Sequence, residues 1–240
     1  MYRSVLRFIK RWLPGRDEVR SPARFARQSV AMLRREYQGM PLEEAHVDPD
    51  PIQQFEAWFE EATRVIRDDP NAMILSTVDE KGRPSGRTVL LKGFSEDGFI
   101  FYTNYESRKG KEIGQNPHVA LTFDWPELMR QVRIEGVAEK TTEEQSDAYF
   151  HSRPAGSRIS AVASPQSREV ASRQELEERT RELEKQYREL DDIPRPAHWG
   201  GYLVRPGLIE FWQGRVNRLH DRICYTREPE GGWQFRRLAP

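Results

Sequence analysis

The stretch that decides the fold is AMILSTVDEKGRPSGRTVLLKGFSEDGFIFYT, residues 72–103. Much of it alternates apolar and polar residues, which is the two-residue period of a β-strand. Turn-forming residues interrupt that pattern at 80–84 and again at 96–98. We therefore predict strands at Ala72–Val78, Thr88–Phe94 and Phe99–Thr103, joined by tight turns.

Strand patterns continue along the rest of the chain. They predict strands at Val119–Phe123, Gln131–Ala138, Gly201–Val204, Ile209–Trp212, Leu219–Tyr225 and Trp233–Leu238. Turn signals about every ten residues favour an antiparallel barrel or sandwich.

Helical patterns flank these strands. A short helix is predicted from Gln28 to Tyr37, and a longer one begins at Asp50-Pro51 and stops at Asp68-Asp69-Pro70. Thr141 and Ser172 each precede a glutamate by three residues, as in a capping box, and predict helices that reach Tyr149 and Leu190. The fold class is therefore mainly β with flanking helices (α+β).

Composition restricts the function classes. The chain has 240 residues with 38 Lys+Arg and 38 Asp+Glu, and zero net charge argues against a dedicated nucleic-acid binder. Cys224 is the one cysteine, which excludes an intrachain disulfide and predicts a reducing, cytoplasmic location. Five scattered histidines without ligand spacing predict no metal site.

Residues 1–28 differ from the rest of the chain. The first 16 residues carry five basic side chains, no acidic one and an apolar helical face. A membrane-surface helix or targeting segment is one interpretation. We favour a mobile or partner-packed extension, followed by a main domain at 29–240.

Cationic residues gather near the predicted strand ends. Arg87 and Lys92 are an odd number of residues apart, so a regular strand would point them to opposite faces, toward two different anions. Tyr149, Arg153 and Ser157 are spaced by four, and on a helix end they would form a cradle for a phosphomonoester. Taken singly, each cluster is also compatible with a solvated surface.

A further cluster follows Phe211-Trp212-Gln213-Gly214. Strand alternation would put Arg218, His220 and Arg222 on one face, where their repulsion calls for an anion or an electron-rich ring. This cluster is therefore the least compatible with a plain surface.

Eleven strings, in order over about residues 30 to 240, resemble the pyridoxamine/pyridoxine 5′-phosphate oxidase family. They are Arg34-Arg35-Glu36-Tyr37, Arg87-x-Val89-Leu90-Leu91-Lys92, Phe101-Tyr102-Thr103-Asn104, Ser107-Arg108-Lys109, Arg130-Gln131-Val132, Tyr149-Phe150-His151-Ser152-Arg153-Pro154, Ser164-x-Gln166-Ser167, Trp199-Gly200-Gly201, Glu210-Phe211-Trp212-Gln213-Gly214, Arg218-Leu219-His220-Asp221-Arg222 and Arg237-Leu238-Ala239-Pro240.

The resemblance implies a homodimeric, antiparallel FMN-binding split β-barrel with FMN at the subunit interface. It implies oxidation of pyridoxamine or pyridoxine 5′-phosphate to pyridoxal 5′-phosphate. The hydride would go to flavin N5, and O2 would regenerate the flavin with formation of H2O2. The alternative is a non-catalytic split-barrel module that binds FMN or pyridoxal phosphate.

The resemblance also implies residue roles. Arg87, Lys109 and Ser167, helped by Arg108 and Gln166, would hold the FMN phosphate. Thr88, Val89, Leu90, Leu91, Lys92, Tyr102 and Thr103 would line the flavin, and Gln131, Trp212 and Arg222 would flank it. Lys92, Tyr149, Arg153 and Ser157 would hold the substrate phosphate, and Arg34, Arg35, Glu36 and Tyr37 would form a lid. Arg218 and His220, the predicted catalytic residues, would cover the pyridine ring together with Leu219.

The chain departs from the family pattern in two places. Ser160 and Val162 stand where many relatives carry Gly and Trp, which affects packing near FMN rather than the phosphate contacts. The basic extension before residue 28 has no counterpart in that pattern.

Overall fold

The computed structural model describes residues 36–188 and 193–240. The strands there are β1 (Ala72–Val78), β2 (Pro84–Leu90), β3 (Gly93–Ser95), β4 (Gly98–Asn104), β5 (His118–Trp125), β6 (Arg130–Lys140), β7 (Trp199–Gln213), β8 (Asp221–Arg227) and β9 (Trp233–Arg237). The α-helices there are α1 (Pro51–Val65), α2 (Arg108–Gln115), α3 (Glu143–Ser152), α4 (Ala155–Ala163) and α5 (Arg173–Gln186). Short 3-10 turns lie at Glu44–His46 and Val216–Arg218.

The strands form one antiparallel sheet that divides at β7. The order is β2-β1-β5-β6-β7-β4-β3, and β8 pairs with β7 and then with β9. One edge of β7 pairs with β6; the other pairs with β4 over residues 199–204 and with β8 over residues 208–213. This branching gives the predicted split-barrel architecture, and all these elements belong to one compact unit, residues 37–240.

The core lies between the sheet and α1. Asp50 caps this helix, its side chain accepting a hydrogen bond from Ile52 N, and Pro51 occupies the first turn, as the sequence predicts. The ring of Phe55 is fully buried and lies 5.0–5.1 Å, between ring centroids, from Phe94, Phe99 and Phe123. Helix α1 is thereby fixed against the sheet by aromatic packing.

Some predicted strand bounds are wrong. The strand predicted at Thr88–Phe94 ends at Leu90, and β3 begins separately at Gly93. The strands predicted at 201–204 and 209–212 are one, β7, whose ladder with β6 shifts register at Glu135/Gly136. An irregularity in a ladder lets the chain bend without ending the strand, which is why turn-like residues there misled the prediction.

Two predicted helices also need correction. Thr142 rather than Thr141 caps α3, forming a capping box with Gln145, and the helix continues to Ser152. Helix α5 is capped by Ser172 as predicted but ends at Gln186. Glu36 and Tyr37, the predicted end of the first helix, lie in irregular backbone, and residues 28–35 of that helix are outside the described residues.

The extension at 1–28 and its boundary with the main domain also lie outside the described residues. Within residues 36–188 and 193–240, no helix combines the length and apolar character needed to cross a membrane.

Replacing Phe55 tests the importance of this packing. We expect Phe55→Ala to lower the free energy of unfolding by about 3–5 kcal/mol, because it leaves a cavity among five aromatic side chains. Urea unfolding at fixed protein concentration measures this. Val65→Ala, at a 45% exposed position of the same helix, should cost less than about 0.5 kcal/mol. Equal losses in the two variants would contradict the assignment of Phe55 to the core.

Candidate active site

A cavity of about 500 Å³ opens where β2, β4 and α2 meet the α3–α4 corner. It is lined by Arg87, Thr88, Val89, Leu90, Lys92, Tyr102, Thr103, Lys109, Tyr149, Arg153, Pro154, Ser157, Gln166 and Trp199. Twelve of these fourteen residues are ones the sequence picked out; Pro154 and Trp199 had no predicted role. Four cations and several hydroxyls converge there, and none of the described lining residues is acidic.

One end of the cavity is built around Lys109, in the first turn of α2. Ser107 caps this helix, its Oγ accepting a hydrogen bond from Gly110 N. The Lys109 Nζ donates to Thr103 Oγ1 at 3.3 Å and to Gln166 Oε1 at 3.0 Å. Burial, and then the nearby charge of Arg87, lower the pKa of Lys109. An anion bound here would oppose this lowering, because a nearby negative charge favours the protonated amine.

The other end of the cavity is built on the α3–α4 corner. Arg153 lies where α3 stops, its guanidinium carbon 4.7 Å from the centre of the Trp199 ring. Tyr149 stacks on Tyr102 with 3.9 Å between ring centroids. The Arg153 Nη1 is buried and has no hydrogen-bond partner among the described residues. A buried unsatisfied donor in a cationic cavity indicates an anionic ligand.

This corner corrects the predicted geometry. Tyr149, Arg153 and Ser157 do not share one helix, because Pro154 separates α3 from α4. They still line the same cavity, since Ser157 lies in the first turn of α4. The predicted opposition of Arg87 and Lys92 is wrong as well. Both line this cavity, because the chain leaves the strand at Leu90 and no longer alternates regularly.

A second cluster, which we call the ring cluster, consists of Tyr37, Trp212 and His220. Tyr37 meets both other rings edge-on, with centroids 5.6 Å from Trp212 and 5.2 Å from His220. The rings of Trp212 and His220 lie 4.6 Å apart. Gln131 on β6 and Arg222 on β8 are the register partners of Trp212 on either side.

The loop at 215–220 overturns the predicted one-face arrangement. Arg218 lies in the 3-10 turn with a positive φ of 61°, and β8 begins only at Asp221, so Arg218, His220 and Arg222 do not alternate along one strand. Arg222 binds Glu210 with N–O distances of 2.9 and 3.0 Å, which supplies the counter-charge that the sequence argument required. Glu210 is distant in sequence and was not foreseen.

The proton of His220 is placed by the same loop. Its Nδ1 accepts a hydrogen bond from Arg215 N at 3.0 Å, so the neutral ring carries its proton on Nε2. Burial, and then the charge of Arg218, lower the pKa of His220, with Asp221 opposing them. The neutral ring is therefore favoured, with Nε2–H as its donor.

The remaining predicted residues lie outside both clusters. Arg108 is 63% exposed and binds Glu112, Leu91 is buried in the core, and Leu219 is 70% exposed. Ser167 has a positive φ of 69° in an exposed turn, and Glu36 is exposed. Arg34 and Arg35 are outside the described residues.

The cavity and the ring cluster lie at opposite ends of β7. Trp199 lines the cavity, and Trp212 belongs to the ring cluster. About 13 residues of strand separate them, roughly 40 Å of extended backbone. The two clusters, although drawn from one set of predicted site residues, are built at separate places on the protomer.

Sequence comparisons agree with this geometry. A family model described as pyridoxamine 5′-phosphate oxidase matches residues 59–187, and one described as the pyridoxine 5′-phosphate oxidase C-terminal dimerisation region matches residues 199–240. The pyridoxine/pyridoxamine 5′-phosphate oxidase of Rubrobacter xylanophilus is 59% identical over 215 residues, covering 90% of this chain and 98% of the relative. That of Salinibacter ruber is 56% identical, covering 88% and 99%.

Solved structures give the same fold. PhzG from Burkholderia lata, in complex with tetrahydrophenazine-1-carboxylic acid, superposes with a TM-score of 0.79 at 28% identity, covering 86% of this chain and all of that one. A pyridoxamine 5′-phosphate oxidase-related, FMN-binding protein from Nostoc punctiforme gives a TM-score of 0.64 at 20% identity, covering 80% and 98%.

The branched antiparallel sheet and its cationic cavity define a split-barrel protein. The chain belongs to the pyridoxamine 5′-phosphate oxidase family. The predictions of an oxidoreductase, of FMN as cofactor and of a homodimeric split barrel are confirmed at this level. The cavity fits FMN, because it offers the partly buried cations Arg87 and Lys109 for a phosphate and the unpartnered Arg153 Nη1 for a second anion.

The pKa of His220 is a direct test of the loop geometry. We expect His220 to titrate below its ordinary value of 6.5 and to be protonated on Nε2 when neutral. Arg218→Gln should raise this pKa, because it removes a like charge. Nitrogen-detected NMR of the imidazole measures both properties. Arg227→Gln, at the far end of β8, should leave the titration unchanged; an unaltered pKa in Arg218→Gln would contradict the arrangement.

Proposed function

We propose that the protein oxidises pyridoxamine 5′-phosphate or pyridoxine 5′-phosphate to pyridoxal 5′-phosphate, with O2 as electron acceptor and H2O2 as product. The observation that carries the proposal is a single cavity with two sets of anion-binding side chains. One set surrounds Lys109 and the other surrounds Arg153. A cofactor and a substrate that each carry a phosphate monoester would require two such sets.

The Lys109 end suits the FMN phosphate. Arg87 and Lys109 supply the charge, while Thr103 and Gln166 orient Lys109. The residues Thr88, Val89, Leu90 and Tyr102 continue the lining from there and would contact the flavin. Because Ser167 does not line the cavity and Arg108 faces solvent, we place less weight on these two.

The Arg153 end suits the substrate phosphate. Arg153 offers its buried Nη1, and Lys92, Tyr149 and Ser157 line the same region with one further charge and two hydroxyls. The stacked rings of Tyr102, Tyr149 and Trp199 form a wall beside these groups. Hydrogen bonds to a charged partner contribute about 1.5–3 kcal/mol each.

The protein residues bind and orient rather than transfer protons. FMN, when bound, supplies the two-electron acceptor and its reoxidation by O2. Arg218 would hold the ring oxygen of the substrate as an anion, and the Nε2–H of neutral His220 would donate a hydrogen bond to the substrate. Hydride transfer needs no carboxylate base at the carbon, in keeping with a described lining of cations and hydroxyls.

We further propose that each active site combines the cavity of one protomer with the ring cluster of its partner, so that FMN lies at the interface. Within one protomer, β7 holds Trp199 and Trp212 at its two ends. A two-fold axis can place the C-terminal end of one β7 beside the N-terminal half of the other. The dimerisation region at 199–240 includes the whole of β7 and the ring-cluster residues Trp212 and His220.

Two other functions remain as alternatives. A non-catalytic module would bind FMN or pyridoxal phosphate without turnover. The resemblance to PhzG makes tetrahydrophenazine-1-carboxylic acid a comparison substrate. The paired cationic sets favour a phosphorylated substrate over the tetrahydrophenazine, and only turnover distinguishes the proposed enzyme from the non-catalytic module.

Steady-state kinetics with phosphorylated and unphosphorylated substrates test the proposed function. The protein should be yellow and should consume O2 with pyridoxine 5′-phosphate, whereas unphosphorylated pyridoxine should show a KM at least about 100-fold higher. Arg153→Leu should raise the KM for the phosphorylated substrate and leave the affinity for FMN unchanged. The control Arg64→Leu, at an exposed position on α1, should change neither this KM nor the FMN affinity. FMN binding without turnover, or faster oxidation of the tetrahydrophenazine, would contradict the proposal.

Mixing two inactive variants tests the shared site. Arg153→Ala removes a cavity residue, and Arg218→Ala removes one beside the ring cluster. If each site uses both protomers, subunit exchange between the two variants should restore about a quarter of wild-type activity, because half of the random dimers contain one intact site. Sites confined to single protomers would give no recovery.

A further inference from the structure

Glu112 lies on α2, and its side chain contacts Arg87 on β2 from outside the cavity. Its carboxylate is buried, with 6% of the side chain exposed. Burial raises the pKa of Glu112, but hydrogen bonds from Thr77, Ser85 and Arg108 outweigh it and bring the pKa down to about 2. Glu112 is therefore an anion at any physiological pH.

Two hydroxyls connect this carboxylate to Arg87. Thr77 and Ser85 are opposite each other in the β1–β2 ladder. Each accepts a hydrogen bond from Arg87, at 2.5 Å in both cases, and donates one to Glu112, at 2.5 and 2.8 Å. Each group has its normal hydrogen-bonding role: the guanidinium donates, the carboxylate accepts, and each hydroxyl accepts one hydrogen bond and donates another.

Arg87 is thereby held by its terminal nitrogens. Nη1 donates to Leu75 O and Thr77, and Nη2 donates to Ser85 and to Glu112 at 3.2 Å. These four bonds fix the orientation of the guanidinium at the wall of the cavity. Arg108 binds the other oxygen of Glu112 at 2.7 Å, so the same carboxylate also gathers a second cation.

The net charge of the side chains around Glu112 is positive and matches the negative charge of a phosphate. Arg108, outside the cavity, binds Glu112 and offsets its charge, which leaves the two positive charges of Arg87 and Lys109 for a phosphate monoester of about −1.5 to −2. Glu112 also counters the effect of Arg87 on Lys109, because its negative charge raises the pKa that Arg87 lowers. Without Glu112, the two cations would repel each other in a partly buried place.

We infer that Glu112 is a positioning residue for the cofactor phosphate: through Thr77 and Ser85 it fixes Arg87, and by its charge it allows Arg87 and Lys109 to lie together at one end of the cavity. The inference rests on the proposed placement of the FMN phosphate at this end. Glu112 acts through other side chains and does not line the cavity itself.

The test compares FMN with riboflavin, the same flavin without its phosphate. Gln at position 112 keeps the shape but presents an NH2 group to donors, so it cannot accept all four hydrogen bonds. We expect Glu112→Gln to weaken FMN binding to the apoprotein about tenfold or more, measured by flavin fluorescence, and to leave riboflavin affinity within about twofold. Saturating FMN should restore the wild-type kcat.

Two further variants keep the inference falsifiable. Ser85→Ala removes one bridging hydroxyl without exposing a buried charge, and it should weaken FMN binding selectively but less. If Glu112→Gln does not fold, the effect of Ser85→Ala on FMN binding tests the inference instead. Glu139→Gln, which breaks the exposed pair with Arg205, is the matched control and should alter neither affinity.

The outcomes separate this inference from the proposed function. Parallel loss of FMN and riboflavin affinity would show a merely structural role, and unchanged or tighter FMN binding would show that Glu112 competes with the phosphate. Either result overturns the inference while leaving the function intact. A wild-type protein that binds riboflavin as tightly as FMN would instead overturn the placement of the phosphate.

Discussion

The arrangement of the sheet depends on β7, because this one continuous strand is hydrogen-bonded to three other strands. It pairs with β6 along one edge and divides the other edge between β4 and β8. The first half supports the cavity through Trp199, and the second half supports the ring cluster through Trp212. The rigidity of a paired strand keeps these two clusters apart in one protomer, which is the physical reason for proposing that the active site is completed by a second copy.

The cationic side chains of the cavity and those beside the ring cluster are paired with carboxylates in different ways. The cavity concentrates cations, and the buried carboxylate of Glu112 binds one of them, Arg87, from outside the cavity. Beside the ring cluster, Arg222 is neutralised by Glu210, whereas Arg218 has no acidic partner among the described residues and acts on His220. We propose that this difference suits the cavity to phosphate groups and the ring cluster to a flat aromatic ring.

The position of Tyr37 depends on a network that ties the segment before α1 to the C-terminal strands. Gly39 N donates to Gly214 O, and Leu42 N donates to Asp221. Arg237 binds both Asp221 and Glu44. These polar contacts hold Tyr37 against Trp212 and His220 although the segment has almost no regular structure.

The family resemblance supplied most of the cavity lining. Local alternation and capping patterns predicted the strand regions, three of the five α-helices in the described residues and the capped start of α1, but they missed α2 and α4. These patterns misplaced Lys92 relative to Arg87, joined Tyr149 and Ser157 in one helix, and put Arg218 on a strand. In each case the prediction extended a strand or helix past the residue where that element ends. Glu112 and Glu210 were missed for a related reason: each lies far in sequence from its arginine, 25 residues for Glu112 and 12 for Glu210. Only the tertiary structure decided which carboxylate meets which guanidinium, because packing of helix on sheet and strand on strand creates those contacts.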